Sequence, residues 1–346
     1  MCEANSEQAT DQIIAATKVV VLPSYTQSPL SGEQLRPLVT FEFGRQSSPF
    51  QSGVVRTGLE PLSPRKYSEI WHVNGPVRSW VESRLGISCS HDYMCVHTSC
   101  SESDNDSLAP RAAAIYGDML AALSKHGYTQ LIRAWNFIPD INRGTGDKER
   151  YRQFCLGRAS GFGEHDVHVG ALPAASAVGV PGPGQLTVVM MACRSEARHI
   201  ENPRQVEAYR YPRRYGPRSP SFARASLLTN RHNESILLTS GTASIRGHES
   251  IHSFDLLPQI DETLENLDAV KQQAQSVHDY RLKASSESAL VRVYLRNKQD
   301  LERARERLKG RVGRPDQVVY LHADICRREL EIEIETVQRF ECCATS

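Results

Sequence analysis

The run LEIEIE near the end of the chain sets Glu331, Glu333 and Glu335 at alternate positions, with Ile332 and Ile334 between them. Successive side chains of an extended strand point to opposite faces, so the three carboxylates share one face and the isoleucines the other. A row of carboxylates is usually a solvated face, and the pattern taken alone favours that reading. If the row lines a pocket instead, burial and neighbouring carboxylates raise the pKa. The result would be a glutamic acid able to deliver a proton near neutral pH.

Arginine supplies the second chemistry. Eight arginines and no lysine fall between Arg194 and Arg224, interleaved with Tyr209, Tyr211 and Tyr215. A planar guanidinium grips a carboxylate through two parallel hydrogen bonds where lysine offers a point charge, so arginine beside tyrosine suits a small polyanion. A solvated basic loop or a nucleic-acid patch would look the same locally. A formal net charge of +1 over 346 residues argues against non-specific nucleic-acid binding as the main task. Upstream, Tyr151, Cys155 and Arg158 recur at i, i+4 and i+7 and share a helix face. That face either packs, with a snorkelling arginine, or brings Tyr151 and Arg158 to a ligand. Gly241 interrupts a strand-like run, and its missing side chain would let a ligand approach the backbone as a pocket wall.

Two stretches have metal-ligand composition. In CSHDYMCVHTSC (Cys89 to Cys100) the spacings contain no C-x-x-C and Tyr93 to His97 alternates like a strand, which disfavours a structural zinc. HESIH (His248 to His252) matches H-E-x-x-H, but a zinc site of that kind needs a continuous helix. Gly247 precedes it, strand-like residues lie upstream, and Pro258 follows, so a turn with hydrogen-bonding histidines is expected. Neither a metal nor a cofactor is expected.

The elements that must position these groups alternate along the chain. Strands are expected at 18–22 and 38–43, a long loop at about 46–64, a helix from Leu108 to His126 ending at Gly127, a strand at 131–137, and a helix over DKERYRQFCLGRASGF. Two strands joined by a Gly-Pro turn follow in PAASAVGVPGPGQLTVVMMAC. Beyond Ile236 to Ile245, the last third reads helix 262–277, strand 289–296, helix 300–309, strand 317–322 and strand 330–337, an α+β sandwich. With 40% hydrophobic and 23% charged residues, the chain can build two domains with sizeable cores. The start, MCEANSEQATDQ, lacks the basic and apolar regions of a signal peptide, and the apolar run Leu186 to Cys193 is too short to cross a bilayer. Nine irregularly spaced cysteines fit reduced thiols. A soluble cytoplasmic monomer without membrane or nucleic-acid partners is expected.

Five stretches are similar to the chorismatase family, distant relatives of the Rid/YjgF fold: RAWNFIPDIN (Arg133 to Asn142), ERYRQFCLGR (Glu149 to Arg158), Cys193 to Ala225, SGTASIRGHESIH (Ser240 to His252) and ADICRRELEIEIE (Ala323 to Glu335). The resemblance implies two Rid/YjgF-like halves in one chain, chorismate-mutase-like sandwiches packed in a pseudo-trimer-like way. The division is expected as a degenerate half over 1–195 and an acid-bearing half over 196–346. Chorismate, with two carboxylates, is the implied substrate, and cleaving its enol ether requires protonation of the terminal methylene by a positioned acid. The resemblance assigns that role to Glu333, with Glu335 as the alternative register. Gly241 and Cys326 resemble the 3-hydroxybenzoate-forming subfamily, in which the ring hydroxyl rather than water completes the reaction. The hydrolytic and mixed 3-/4-hydroxybenzoate types are the alternatives, and an imine deaminase or a non-catalytic binder the other classes. The site expected has Glu333 and Cys326 at the reacting centre, with Tyr151, Arg158, Tyr211, Tyr215, Arg224, Gly241 and Ala243 around the substrate.

Overall fold

The computed structural model describes residues 19–23, 35–44, 49–63, 67–101, 107–229, 234–277 and 281–343. The polar start of the chain and the acidic residues 102–106 lie outside these. Five strands come first: β1 (Val19–Pro23), β2 (Leu35–Glu42), β3 (Val54–Arg56), β4 (Glu60–Pro61) and β5 (Tyr67–Asn74). Four of them form a sheet in the order β1-β5-β2-β3. The loop expected at 46–64 therefore carries two short strands, and its residues 46–48 and 64 are outside the described set.

A helix-backed sheet follows, built from β6 (Arg78–Glu82), β7 (Leu85–Cys89), β8 (Tyr93–Ser101), α1 (Leu108–Lys125), β9 (Gln130–Pro139), α2 (Arg150–Glu164), β10 (Ala174–Val180) and β11 (Gln185–Cys193). The strand order is β10-β9-β11-β8-β7-β6, with β10 parallel to β9. The Gly-Pro turn thus joins two strands that straddle β9 instead of pairing. α1 forms where apolar side chains recur one turn apart; Ile115, Met119 and Leu123 are all buried. It stops before Gly127, whose φ of 75° suits a residue without a side chain. α2 starts at Arg150, because Gly146–Lys148 closes a separate 3-10 turn.

The same succession then recurs. β12 (Ala197–Ile200), β13 (Ala225–Thr229) and β14 (Glu234–Thr242) lead into a small hairpin, β15 (Ile245–Arg246) and β16 (Glu249–Ser250), then α3 (Leu256–Ser276), β17 (Arg281–Leu295), α4 (Leu301–Leu308), β18 (Val318–His322) and β19 (Ile332–Cys343). Their order, β12-β13-β14-β19-β17-β18, with β4 on the outer edge, is that of the six-stranded sheet read backwards, and β18 is again parallel to β17. α3 begins six residues before the expected Glu262. Pro258 sits in its first turn, where no intrahelical N–H bond is lost, so it does not break the helix.

One face of each sheet points into a shared core, which joins Phe41 and Trp71, Trp135 and Val189, and Leu238 and Tyr294. The other face of the six-stranded sheet is covered by α1 and α2, and that of the seven-stranded sheet by α3 and α4. On β19, Ile332 and Ile334 pack on the helix side. The intervening glutamates must therefore face the shared core.

The approach of α1 and α2 depends on glycine. A Cβ at Gly157 would lie 2.0 Å from the Ala109 carbonyl oxygen, whereas one at Gly163 would meet nothing within 4 Å. Gly157→Ala should thus destabilise the fold by about 1–3 kcal/mol through overpacking. Gly163→Ala should be neutral or slightly stabilising, and chemical denaturation of the two variants distinguishes these outcomes.

Candidate active site

The carboxylate face of β19 is not solvated. Glu331, Glu333 and Glu335 are 8, 4 and 6% exposed, because the six-stranded sheet and the four-stranded sheet close over it. Glu335 is held at both oxygens. Arg133 on β9 donates from Nη2 to Oε2 at 2.6 Å, and Trp135, on the same face of β9, donates from Nε1 to Oε1 at 3.0 Å. Arg292 on β17 brings Nη1 to 3.1 Å from Oε1. Ser176 on β10 donates its hydroxyl to Oε2 while accepting from Arg133 at 2.7 Å and from the Gly241 N–H at 2.9 Å. Arg292 in turn grips Glu69 on β5 through two bonds of 2.6 Å, and Trp71 adds a third at 2.7 Å. Burial alone would raise the Glu335 carboxyl, but the two guanidiniums and the hydroxyl and indole donors hold it below the ordinary carboxylate range. An anion this firmly bound is a poor proton donor, which removes Glu335 as the alternative acid.

Two residues away, Glu333 has the opposite environment. Burial and the adjacent Glu335 charge raise its carboxyl from 4.5 to about 8, against a smaller pull from Arg133. It faces a cavity of about 460 Å³, which Tyr151, Tyr211, Tyr215, Arg224, Gly241, Ala243 and Cys326 also line. The β14–β19 register shifts between Thr239 and Thr242. The resulting bulge places Gly241 directly against the acid, where a Cβ would fall 1.9 Å from Glu333 Oε1. Glycine here is a requirement of space, since the acid occupies the side chain's volume. Burial and the Glu333 charge raise the Cys326 thiol far above neutrality. Cys326 thus presents an uncharged thiol to the cavity beside Glu333.

Arg158 is the expected site residue that does not line the cavity. It is 1% exposed, beside Cys155 Sγ at 3.9 Å and the Phe154 ring at 5.3 Å, so the shared helix face splits into Tyr151 at the cavity and a packed arginine behind it. Most of the arginine-rich segment also proves structural. Arg194 bonds the backbone oxygens of His91, His126 and Gly127, Arg204 pairs with Glu262 and Glu265, and Arg213 with Asp147. Arg224 and Arg214 reach the cavity, and Arg224 donates to Tyr211 Oη at 2.8 Å.

Several contributors carried no legible signal. Arg327 lines the cavity, its guanidinium stacked 4.1 Å from the Tyr215 ring and bonded to the His248 carbonyl at 3.0 Å. Arg296 staples the segment behind it, donating to the Leu330 and Arg327 carbonyls at 2.8 Å and to Asp324 at 2.6 Å. Arg133 and Trp135 stood in RAWNFIPDIN without an assigned role, and nothing pointed to Ser176. HESIH straddles the turn and second strand of the β15–β16 hairpin, with Gly247 at φ 59°, so its histidines cannot share a helix face. His248 Nδ1 instead lies 3.0 Å from Arg214 Nη2. Among the described residues no group of three or more His, Cys, Asp and Glu side chains is placed to hold a metal, and no helix is long and apolar enough to cross a membrane.

The raised Glu333 carboxyl links stability to pH. Folding favours the protonated form, so its contribution is fully present below about pH 4.5, declines as pH rises and is gone above about pH 8. Glutamine does not titrate. Glu333→Gln should therefore gain stability relative to the parent across that window, by a few kcal/mol in all, with no further change above it. Denaturant midpoints measured at several pH values check the slope and its sign.

With this geometry in view, the relatives are informative. Residues 69–192 match the family described as "Chorismatase FkbO/Hyg5-like, N-terminal". A Streptomyces hygroscopicus protein named "3-hydroxybenzoate synthase" is 38% identical over 280 residues, 78% of this chain and 81% of that one. A "Chorismatase" from Streptomyces rapamycinicus is 32% identical over 319 residues, 90% and 94% of the two chains. A crystal structure of a chorismatase superposes with a TM-score of 0.81 at 30% identity, covering 94% of this chain and 99% of that one. Sequence and fold agree over nearly the whole length, and the chain belongs to the chorismatase family.

Proposed function

We propose that the protein converts chorismate to 3-hydroxybenzoate and pyruvate. The observation that carries this reading is a buried glutamic acid, Glu333, still protonated at neutral pH in a cavity walled by arginine and tyrosine. Support also comes from the relative named "3-hydroxybenzoate synthase", which shares 38% of its aligned residues with this chain. Glu333 delivers its proton to the terminal methylene of the enol ether, which converts the side chain into an oxocarbenium ion and a leaving group. The neighbouring ring hydroxyl attacks the carbon that carries that group and pyruvate departs, which leaves an arene-oxide-like species, and the hydroxyl's proton goes back to Glu333. Cleavage of the oxide's original C–O bond, with transfer of a ring proton to the oxygen, restores aromaticity. Atoms balance without water, since chorismate equals the sum of the two products. Arg224, with Tyr151, Tyr211 and Tyr215, orients the carboxylates, and Gly241, Ala243 and Cys326 set the volume that excludes water. Arg158 acts behind the wall, packed on Cys155 and Phe154 in the middle of α2.

The fold is read in the same spirit as two Rid/YjgF-like halves, dividing at about 195/196, between β11 and β12. The shared strand order of the two helix-backed sheets supports this, and the four-stranded sheet takes the third place around the core in a pseudo-trimer-like arrangement.

Glu333→Gln keeps the shape of the acid without its proton, so pyruvate release should fall by about 100-fold or more with chorismate binding retained. For the parent enzyme, kcat/KM should decline as pH rises through about 8, where Glu333 loses its proton. Near-normal turnover by the variant would remove Glu333 from the mechanism. In ¹⁸O-labelled water, the 3-hydroxybenzoate formed should carry no label, as established by mass spectrometry. A dihydroxycyclohexadiene carboxylate as the main product would replace intramolecular capture by hydrolysis.

A further inference from the structure

We propose that Glu335 is a positioning residue for the reaction: its permanently clamped negative charge keeps the proton on Glu333 until substrate arrives. This rests on the reading of Glu333 as the acid. The buried network around Glu335 is balanced in charge. Arg133 and Arg292 bring two positive charges, and Glu335 and Glu69 bring two negative ones, all four side chains being at most 7% exposed. The carboxylates of Glu335 and Glu69 thus consume both cations. None is left over to neutralise a third carboxylate, and Glu333 lies on the same strand face as Glu335.

The groups that face Glu333 sharpen this. Along β19 its neighbour is the Glu335 anion, and from β9 Arg133 pulls the other way with the weaker effect. Across the ladder on β17 stands Tyr294, a buried phenol that burial and the Glu335 charge hold in its uncharged form. The segment before β19 contributes the neutral Cys326 thiol, and β14 contributes the Gly241 backbone. The cavity's other charged side chains are Arg152, Arg214, Arg224, Arg327 and Arg328 with Glu149 and Glu329, and of these Arg224 is bonded to Tyr211 and Arg327 to His248 and Ser250. Glu335 is therefore the charged neighbour that opposes ionisation.

Ser176 completes the device. One hydroxyl donates to Glu335 and accepts from both Arg133 and the Gly241 N–H, which uses its whole hydrogen-bonding capacity. It ties the anion to the piece of backbone that packs on the acid, so the distance between charge and proton is set by one short, rigid contact chain.

The test reads the proton directly. Glutamate carboxyls are ¹³C-labelled and followed by NMR or infrared titration, with the Glu333 signal assigned by its loss in Glu333→Gln. In the parent protein Glu333 should titrate near pH 8 while Glu335 stays ionised throughout that range. In Glu335→Gln the Glu333 titration should move down by about one unit or more, and Glu335→Asp, which keeps the charge, should restore most of it. In turnover, Glu335→Gln should lose about fivefold or more of the parent rate near pH 8 and recover towards pH 6. A purely structural lesion would lower both equally. An unshifted Glu333 titration in folded Glu335→Gln overturns the proposal. Should that variant fail to fold, the parent titration decides, since a protonated Glu335 where Glu333 titrates overturns it equally. A parent protein that shows both titrations but releases no pyruvate from chorismate refutes the substrate reading and leaves this inference standing. Pyruvate release with Glu333 titrating near 4.5 does the reverse.

Discussion

The buried ion network around Glu335 is the interaction on which the rest of the structure depends. It links the three large sheets: Glu335 and Arg292 from the seven-stranded sheet, Arg133 and Trp135 from the six-stranded one, Glu69 and Trp71 from the four-stranded one. Burying charges costs several kcal/mol per ion before attraction returns it, and the return requires nearly every donor and acceptor to be met. Here the carboxylate oxygens of Glu335 and Glu69 are all engaged, and the indole N–H groups fill the remaining directions. Apolar residues of similar size could give comparable stability. What they could not supply is a fixed negative charge beside an uncharged acid.

Placing that network between sheets has a consequence for the cavity. Glu333 comes from β19, while Tyr151 and Arg152 come from α2, so the cavity exists only when the six- and seven-stranded sheets are docked. The same docking buries the carboxylate face of β19 and so raises the acid. Stability of the interface and protonation of the acid are thus one physical event. The bulge on β14 adds the last constraint, because Gly241 fills space that any side chain would contest with Glu333.

The arginine-rich segment divides along similar lines. Arginine is economical as a staple, since one guanidinium can bond several carbonyls or carboxylates at fixed angles. Arg194 and Arg204 use that property to hold loops, and only Arg214 and Arg224 of the eight face the cavity. Composition could not separate the two uses, because both require the same side chain in the same kind of segment.

By itself the sequence determined the four helices, several of the strands and the face of β19: strict alternation of glutamate and isoleucine admits only one arrangement in an extended strand, and the apolar spacing of α1 admits only one buried stripe. The family motifs likewise led to Glu333, the cavity tyrosines, Arg224, Gly241 and Cys326, which line one cavity. Tertiary structure alone decided whether the glutamate face meets water or protein, and hence which carboxylate is charged. That choice depends on Arg133, Ser176, Arg292 and Glu69, which are up to 266 positions from Glu335 and carry no local pattern. Arg158 failed as a cavity residue for the same reason. A helix face can be read from spacing, but what stands opposite each turn of it is set by the partner element, here α1 against the middle of α2.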